Sequence, residues 1–260
     1  MMVKFGCTNM KRFFCYFAFA LASSSAICFP SASAISNDSP HSELPETSSL
    51  KQALKLFTAS HYEESIEVCS SLLHKDPSNK DALLWIGENL IALHKESEAV
   101  GYFQQVLEQY PTEGTKAKAY YGLGRCHQAL MQHEQAVADF SECLKVYTFS
   151  SVGYLSRASS LVALHEYNRA IEDLTMCISI TKVNPSEYFV LRGDCYVALK
   201  QYENAVADYT AAIKGDPTNS KKWNWYFLRA TAYRNAGEDI SARSDILTAN
   251  ELLIKAKQGK

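Results

Sequence analysis

The sequence predicts an all-α fold built from six tandem helix-turn-helix units, and three observations carry that expectation. A segment recurs down the chain, as YEESI from Tyr62, EQAVADF from Glu134, YNRAIED from Tyr167 and YENAVADY from Tyr202. Aligned on its small residue, it divides the chain into six 34-residue windows, 46–79, 80–113, 117–150, 151–184, 186–219 and 223–256, and a fixed period of this length marks stacked supersecondary units. Pro77, Pro111 and Pro217 hold the thirty-second position of three windows, where a residue without a backbone donor ends a helix. The other three windows carry Thr148, Lys182 and Ile254 there.

Composition agrees with a folded chain. Of 260 residues 47% are hydrophobic, and 26 Lys and Arg face 28 Asp and Glu. Disordered and collagen-like chains need fewer apolar residues or far more glycine and proline. A net charge of −2 excludes a general nucleic-acid binder, because phosphate affinity rests on clustered excess cations.

Residues 1–34 differ from the rest. They contain no acidic residue, carry Lys4, Lys11 and Arg12, continue with an apolar run from Phe13 to Ala22, and end in Ser31, Ala32, Ser33 and Ala34. These are the parts of a secretory signal, with cleavage expected after Ala34. Met10, beside Lys11 and Arg12, would make a compact basic start and is a candidate initiator. An uncleaved membrane anchor is the alternative, although a span needs about 20 predominantly apolar residues and this run is broken by Ser23, Ser24 and Ser25. The bulky Ile27 argues against lipidation at Cys28. Export leaves a mildly acidic mature chain, with a leader over 35–45, the repeats over 46–256 and a basic tail over 257–260.

The window columns have a physical meaning. The eighth position reads Ala53, Gly87, Gly124, Ala158, Gly193 and Ala230, and the twentieth Ser65, Ala99, Ala136, Ala170, Ala205 and Ala242. Each column lies near the middle of one of two successive helices, so small side chains let the axes approach while bulky residues at four, eleven and twenty-four fill the grooves around them. One hairpin cannot bury both faces, so units stack and are stabilised by their neighbours. Short inserts at 114–116, 185 and 220–222 separate some windows. The last helix, roughly 240–257, ends in Lys255 and Lys257, which suits a solvent-facing cap and a helix C-terminus.

This pattern resembles the tetratricopeptide repeat (TPR) over all six windows. The resemblance implies a right-handed α-solenoid whose first helices line a concave groove through positions two, five, nine, twelve and thirteen. The fifth-position row is then Leu50, Leu84, Tyr121, Leu155, Val190 and Phe227, and the ninth is Leu54, Glu88, Arg125, Ser159, Asp194 and Thr231. An apolar row beside a mixed polar row suits an amphipathic helix or extended peptide. The Lys/Asn/Arg clamp of TPR co-chaperones that grip acidic C-termini is missing, since Leu50, Leu54 and Phe227 stand where polar groups would be needed. The expected function is a non-enzymatic exported scaffold that binds a protein or peptide, in envelope assembly or surface traffic. The alternatives are a membrane-attached assembly factor resembling TPR lipoproteins of pilus or outer-membrane biogenesis, and a chaperone protecting aggregation-prone clients.

Residues of chemical type take structural readings. Cys126, His127 and His133 lack the converging spacing of a zinc site, and no phosphate-cradling loop or nucleophile motif occurs. No cofactor, metal or catalytic residue is therefore expected. Arg157, Arg192 and Arg229 recur at the seventh position, each sixteen residues before Asp173, Asp208 or Asp245; ion pairs inside hairpins explain them more simply than a cationic ladder. Arg192, Gly193 and Asp194 spell an adhesive tripeptide but fall in mid-helix. Five cysteines follow the signal, an odd number at packing positions, which predicts at least one free thiol and makes Cys177 and Cys195 the pair to test for a bond.

Overall fold

The computed structural model describes residues 45–110, 112–181, 185–216 and 222–258. Among them are twelve helices: α1 Pro45–Thr58, α2 Tyr62–Lys75, α3 Lys80–Ala92, α4 Glu96–Gln109, α5 Glu113–Ala129, α6 His133–Val146, α7 Ser151–Ala163, α8 Tyr167–Ile180, α9 Ser186–Ala198, α10 Tyr202–Gly215, α11 Lys222–Asn235 and α12 Asp239–Gln258. They fall into two compact units, divided between Tyr147 and Thr148. In the first, each helix from α1 to α6 packs on the next, and the same holds from α7 to α12 in the second. Each unit is thus three helical hairpins in succession. No described helix is long and apolar enough to cross a membrane. The signal segment 1–34, nearly all of the leader, Pro111, Lys182 and Pro217 lie outside the described residues.

Sequence explains the helix ends. Asn79 Oδ1 accepts from the Ala82 N–H at 3.0 Å and Ser150 Oγ from that of Gly153 at 3.0 Å, satisfying donors that the first turn of a helix leaves open. The expected insert 114–116 is helical: α5 begins at Glu113 and runs 17 residues, because Glu113 opens a favourable first turn and Pro111 stands just before it.

Every hairpin turns in one way. The fifteenth residue of each window, Ser60, His94, Met131, His165, Lys200 and Gly237, has a φ between 57° and 85°. Around it the sixteenth N–H returns to the eleventh carbonyl, as in His61 to Leu56 at 2.9 Å and Glu238 to Tyr233 at 2.8 Å, the Schellman closure of a helix C-terminus. Five of the six residues are not glycine and hold the left-handed conformation at a steric cost, so the turn is imposed by packing on both sides of it.

That packing centres on the small columns, all twelve of whose members are buried. A Cβ added to Gly87 would stand 2.6 Å from the Phe103 ring, one on Gly124 2.6 Å from Phe140, and one on Gly193 2.7 Å from Tyr209. Each of those rings occupies the twenty-fourth position of the same window. Where the eighth residue is Ala53, Ala158 or Ala230, the twenty-fourth is Cys69, Leu174 or Ile246. Glycine therefore meets an aromatic ring and alanine a smaller side chain, keeping the volume at the crossing nearly constant. Phe103 also abuts Gly122, in the following window, so one ring closes its own hairpin and seats the next.

Gly124→Ala is expected to cost about 1 to 3 kcal/mol by overpacking. In urea denaturation the Gly124→Ala/Phe140→Leu double variant should lose about 1 kcal/mol less than the two single losses combined; strict additivity would contradict this account of the crossing.

Candidate functional site

In the first unit α1 packs on α3 and α3 on α5, which sets three first helices side by side. Their fifth and ninth residues form adjoining rows. Leu54 is 44% exposed and Leu84 8%, Leu50, Tyr121 and Arg125 are half-buried, and Glu88 is buried. Arg125 Nη1 donates to Glu88 Oε2, and its guanidinium lies 5.9 Å from the Tyr121 ring centroid. Burial opposes the Arg125 charge, but Glu88 more than compensates and the pKa rises. The ninth-position row expected to meet a ligand thus pairs within itself between α3 and α5 and sets the Arg125 guanidinium beside Tyr121.

In the second unit Leu155, Ser159 and Phe227 are half-buried. Val190 is 1% exposed and belongs to the core with Tyr209 and Trp225, so it supports the face rather than touching a ligand; the expectation of Val190 as groove lining is corrected on that ground. Asp194 accepts from the Tyr209 hydroxyl at 2.6 Å, and Tyr209 is pushed well above the ordinary tyrosine pKa by burial and by Asp194. Two expected groove residues, Glu88 and Asp194, therefore act first as partners of their own neighbours, Arg125 and Tyr209. The short row spacing hid this, because a ninth-position side chain looks equally suited to groove and core.

The seventh-position arginines meet the aspartates sixteen residues on. Arg157 reaches both oxygens of Asp173 at 2.9 and 2.7 Å, Arg192 those of Asp208 at 2.8 and 2.7 Å, and Arg229 those of Asp245 at 2.7 and 2.8 Å. Such forks are the strong form of charged hydrogen bond. Arg192 lies between Phe189 and Tyr196 at 5.6 and 5.9 Å, and Arg229 between Tyr226 and Tyr233 at 5.3 and 5.8 Å. Nη1 of Arg192 also donates to Thr175 Oγ1 at 2.9 Å, and that of Arg229 to Thr210 Oγ1 at 2.9 Å, in each case on the preceding hairpin. Hydrogen bonding to the aspartates raises all three arginine pKa values further. The adhesive-looking tripeptide is spent on this packing, with Arg192 on Asp208, Gly193 under Tyr209 and Asp194 on its hydroxyl.

The third window lacks the arginine, having Leu123 at the seventh position and Asp139 at the twenty-third. His127, at the eleventh, takes its place: Nδ1 lies 2.6 Å from Asp139 Oδ2. Burial raises the Asp139 pKa against the pull of His127. The aligned aspartate without its arginine was a signal for this pair that the histidine's own spacing did not give. His133 opens α6 and is buried, and burial lowers its pKa below the ordinary histidine value. Among the described residues no three His, Cys, Asp or Glu side chains gather to hold a metal ion.

Cys69, Cys126, Cys143, Cys177 and Cys195 are all buried free thiols. Cys177 and Cys195 are unbonded to each other, and Cys177 Sγ donates to the Ser151 carbonyl at 3.3 Å. Burial pushes the thiols of Cys69 and Cys143 up to about 11 and those of Cys126 and Cys177 to about 12; Cys195 moves in the same direction.

Family models for the tetratricopeptide repeat match residues 81–112, 117–148 and 186–219, three of the six windows. A search of curated protein sequences finds no match. Among solved structures the chain is similar to the C-terminal part of a TPR repeat-containing protein from Cytophaga hutchinsonii, with a TM-score of 0.70 at 18% identity over 79% of this chain and 80% of that one. It is similar to a tetratricopeptide repeat protein from Parabacteroides merdae, with a TM-score of 0.62 at 16% identity over 82% and 86%. It is also similar to YrrB, described as a TPR protein with an unusual peptide-binding site, with a TM-score of 0.62 at 16% identity over 72% and 93%. At these identities the likeness establishes the fold.

Arg192→Ala should cost about 3 to 5 kcal/mol, since it strands Asp208 in the core, whereas Arg192→Met/Asp208→Leu should be close to neutral in thermal denaturation. A thiol whose pKa is raised by folding favours the folded state while protonated, so that contribution is complete below the ordinary value of 9.0 and is lost as pH rises toward about 11 to 12. The melting temperature should fall over that window, and less steeply in Cys143→Ala.

Proposed function

Because this chain is a tetratricopeptide-repeat protein, we propose that it is a non-enzymatic exported scaffold holding a protein or peptide along the faces of its first helices. Binding of protein or peptide partners is what the fold supports. The particular face and the exported setting are the further steps.

One observation favours the face of α1, α3 and α5. Its fifth and ninth positions combine a 44% exposed Leu54 with a Tyr121–Arg125 surface immobilised by Glu88. Leu54 on α1 and the Tyr121–Arg125 pair on α5 flank α3, so a segment laid across the three helices can place an apolar anchor on an exposed leucine and a carbonyl or carboxylate near a guanidinium already held by Glu88. An amphipathic helix or extended segment with apolar anchors fits such a surface. Export rests on residues 1–34, with their basic start, apolar run and small-residue ending, and places the work of the scaffold in the envelope or outside it.

The test is affinity purification from the cell envelope with the native protein, with Leu54→Glu/Tyr121→Ala, and with Glu108→Lys on the exposed side of α4 as control. Recovery of the partner should drop at least tenfold with the double variant, about 1.4 kcal/mol, and persist with the control. Retention by the double variant with loss from the control would move the binding surface elsewhere. Arg125→Glu is unsuitable, because it would set a second carboxylate against buried Glu88.

A further inference from the structure

The last helix carries an apolar stripe on its outer side. Ile240 is 87% exposed, Leu247 65% and Ile254 54%. They are spaced by seven residues, so they share one face, opposite Ala242, Asp245 and Ala249, which are buried. The solvent-facing cap expected from the lysines is therefore only half of the description of α12.

The repeat register gives this face a meaning. Leu247 stands at the twenty-fifth position, which in the earlier windows holds Ser70, Gln104, Ser141, Thr175 and Thr210. Thr175 and Thr210 accept from the arginine on the first helix of the next hairpin, yet Gln104 and Thr175 stay exposed although a hairpin follows each, so this column lies on the outer side of the second helix, at the edge of the joint. On α12 the column is apolar instead. Ile240 likewise replaces residues such as Glu63, Glu134 and Glu203 at the eighteenth position. Columns twenty-one and twenty-eight, by contrast, are apolar and at least half-buried in the first five windows, from Ile66 and Leu73 to Val206 and Ile213, and are the exposed Arg243 and Asn250 on α12, so the stripe is a separate apolar face on the outer side of the helix.

We propose that the chain associates with a second copy of itself through α12, the two helices packed antiparallel across Leu247. The stripe is self-complementary in that arrangement, since Ile240 and Ile254 lie seven residues either side of Leu247 and each meets the other in the second copy. The exposed charges agree. Asp239 lies about 12 Å before Leu247 along the axis and Lys257 about 15 Å after it, and their separation of eighteen residues, about five full turns, puts them on the same side of the stripe. Antiparallel pairing sets each Asp239 beside Lys257 of the second copy, while Glu251 falls opposite Ser244 and Arg243 opposite Asn250, with no like charges opposed. Parallel pairing would gather both acidic ends together and both basic ends together. The helix dipoles also favour the antiparallel arrangement. A lipid surface fits less well, because Glu251 stands close beside the stripe and would enter the headgroup boundary with it. A contact through one helix pair is at the small end of specific interfaces, so the association is concentration-dependent.

The test is sedimentation velocity on the full chain over about a hundredfold range of concentration. The native protein should rise from the mass of one chain toward that of two, and Leu247→Glu should hold it at one, with circular dichroism showing unchanged helicity. Asp239→Lys and Lys257→Asp should each weaken association roughly tenfold, and an equimolar mixture of the two should restore it, because the variant charges then oppose correctly in the heterodimer. A native protein that remains a monomer throughout, a dimer indifferent to Leu247→Glu, or a mixture no tighter than its components would overturn the proposal. So would a monomer that binds anionic vesicles in a manner abolished by Leu247→Glu, which would assign the stripe to lipid.

Discussion

A ring at the twenty-fourth position requires a hollow, and the eighth position supplies it. Phe103, Phe140 and Tyr209 lie where only a glycine leaves room, and Cys69, Leu174 and Ile246 lie over alanines. This fit sets how closely the two helices of a hairpin approach, and the other contacts inherit that distance. Arginine reaches aspartate across the same gap, the left-handed turn residues are held in place by it, and the first helices align side by side.

Much of this was legible because the chain repeats its solution. The small columns, the hairpin period and the sixteen-residue spacing from Arg157, Arg192 and Arg229 to their aspartates each occur several times, and recurrence separates a requirement from an accident. Features that occur once, or that depend on which of two neighbours a side chain prefers, were less visible. Val190 occupies a groove column yet is sealed in the core, since its neighbours Tyr209 and Trp225 are large enough to cover it. Glu88 and Arg125 bond across adjacent windows, and window-by-window alignment does not display such a contact. The turn conformation was hidden for another reason: Ser, His, Met and Lys occupy a position where glycine would have announced it.

The candidate face and the tail of the molecule illustrate two uses of the same architecture. On the first helices, polar groups of the fold steady the side chains left partly open, so a partner would meet a surface already arranged. On α12, the outer side of the second helix, polar in the earlier hairpins, carries leucine and isoleucine. A polar outer side stays in water, whereas an apolar one accepts a helix from outside the chain.

Arg192 and Arg229 each touch three helices, bonding to aspartate within their own hairpin and to threonine on the one before. Neither bond set can be completed until the hairpin has closed and has also been stacked. Linear arrays ordinarily fray from an end one module at a time, since each module meets only those beside it. Here the guanidinium links two free-energy terms that such arrays keep separate, so unfolding the terminal pair breaks the fork on Asp245 and the bond to Thr210 together. The consequence is cooperativity: closing a hairpin and seating it on its predecessor reinforce each other, which steepens local opening toward a shared event in place of independent fraying.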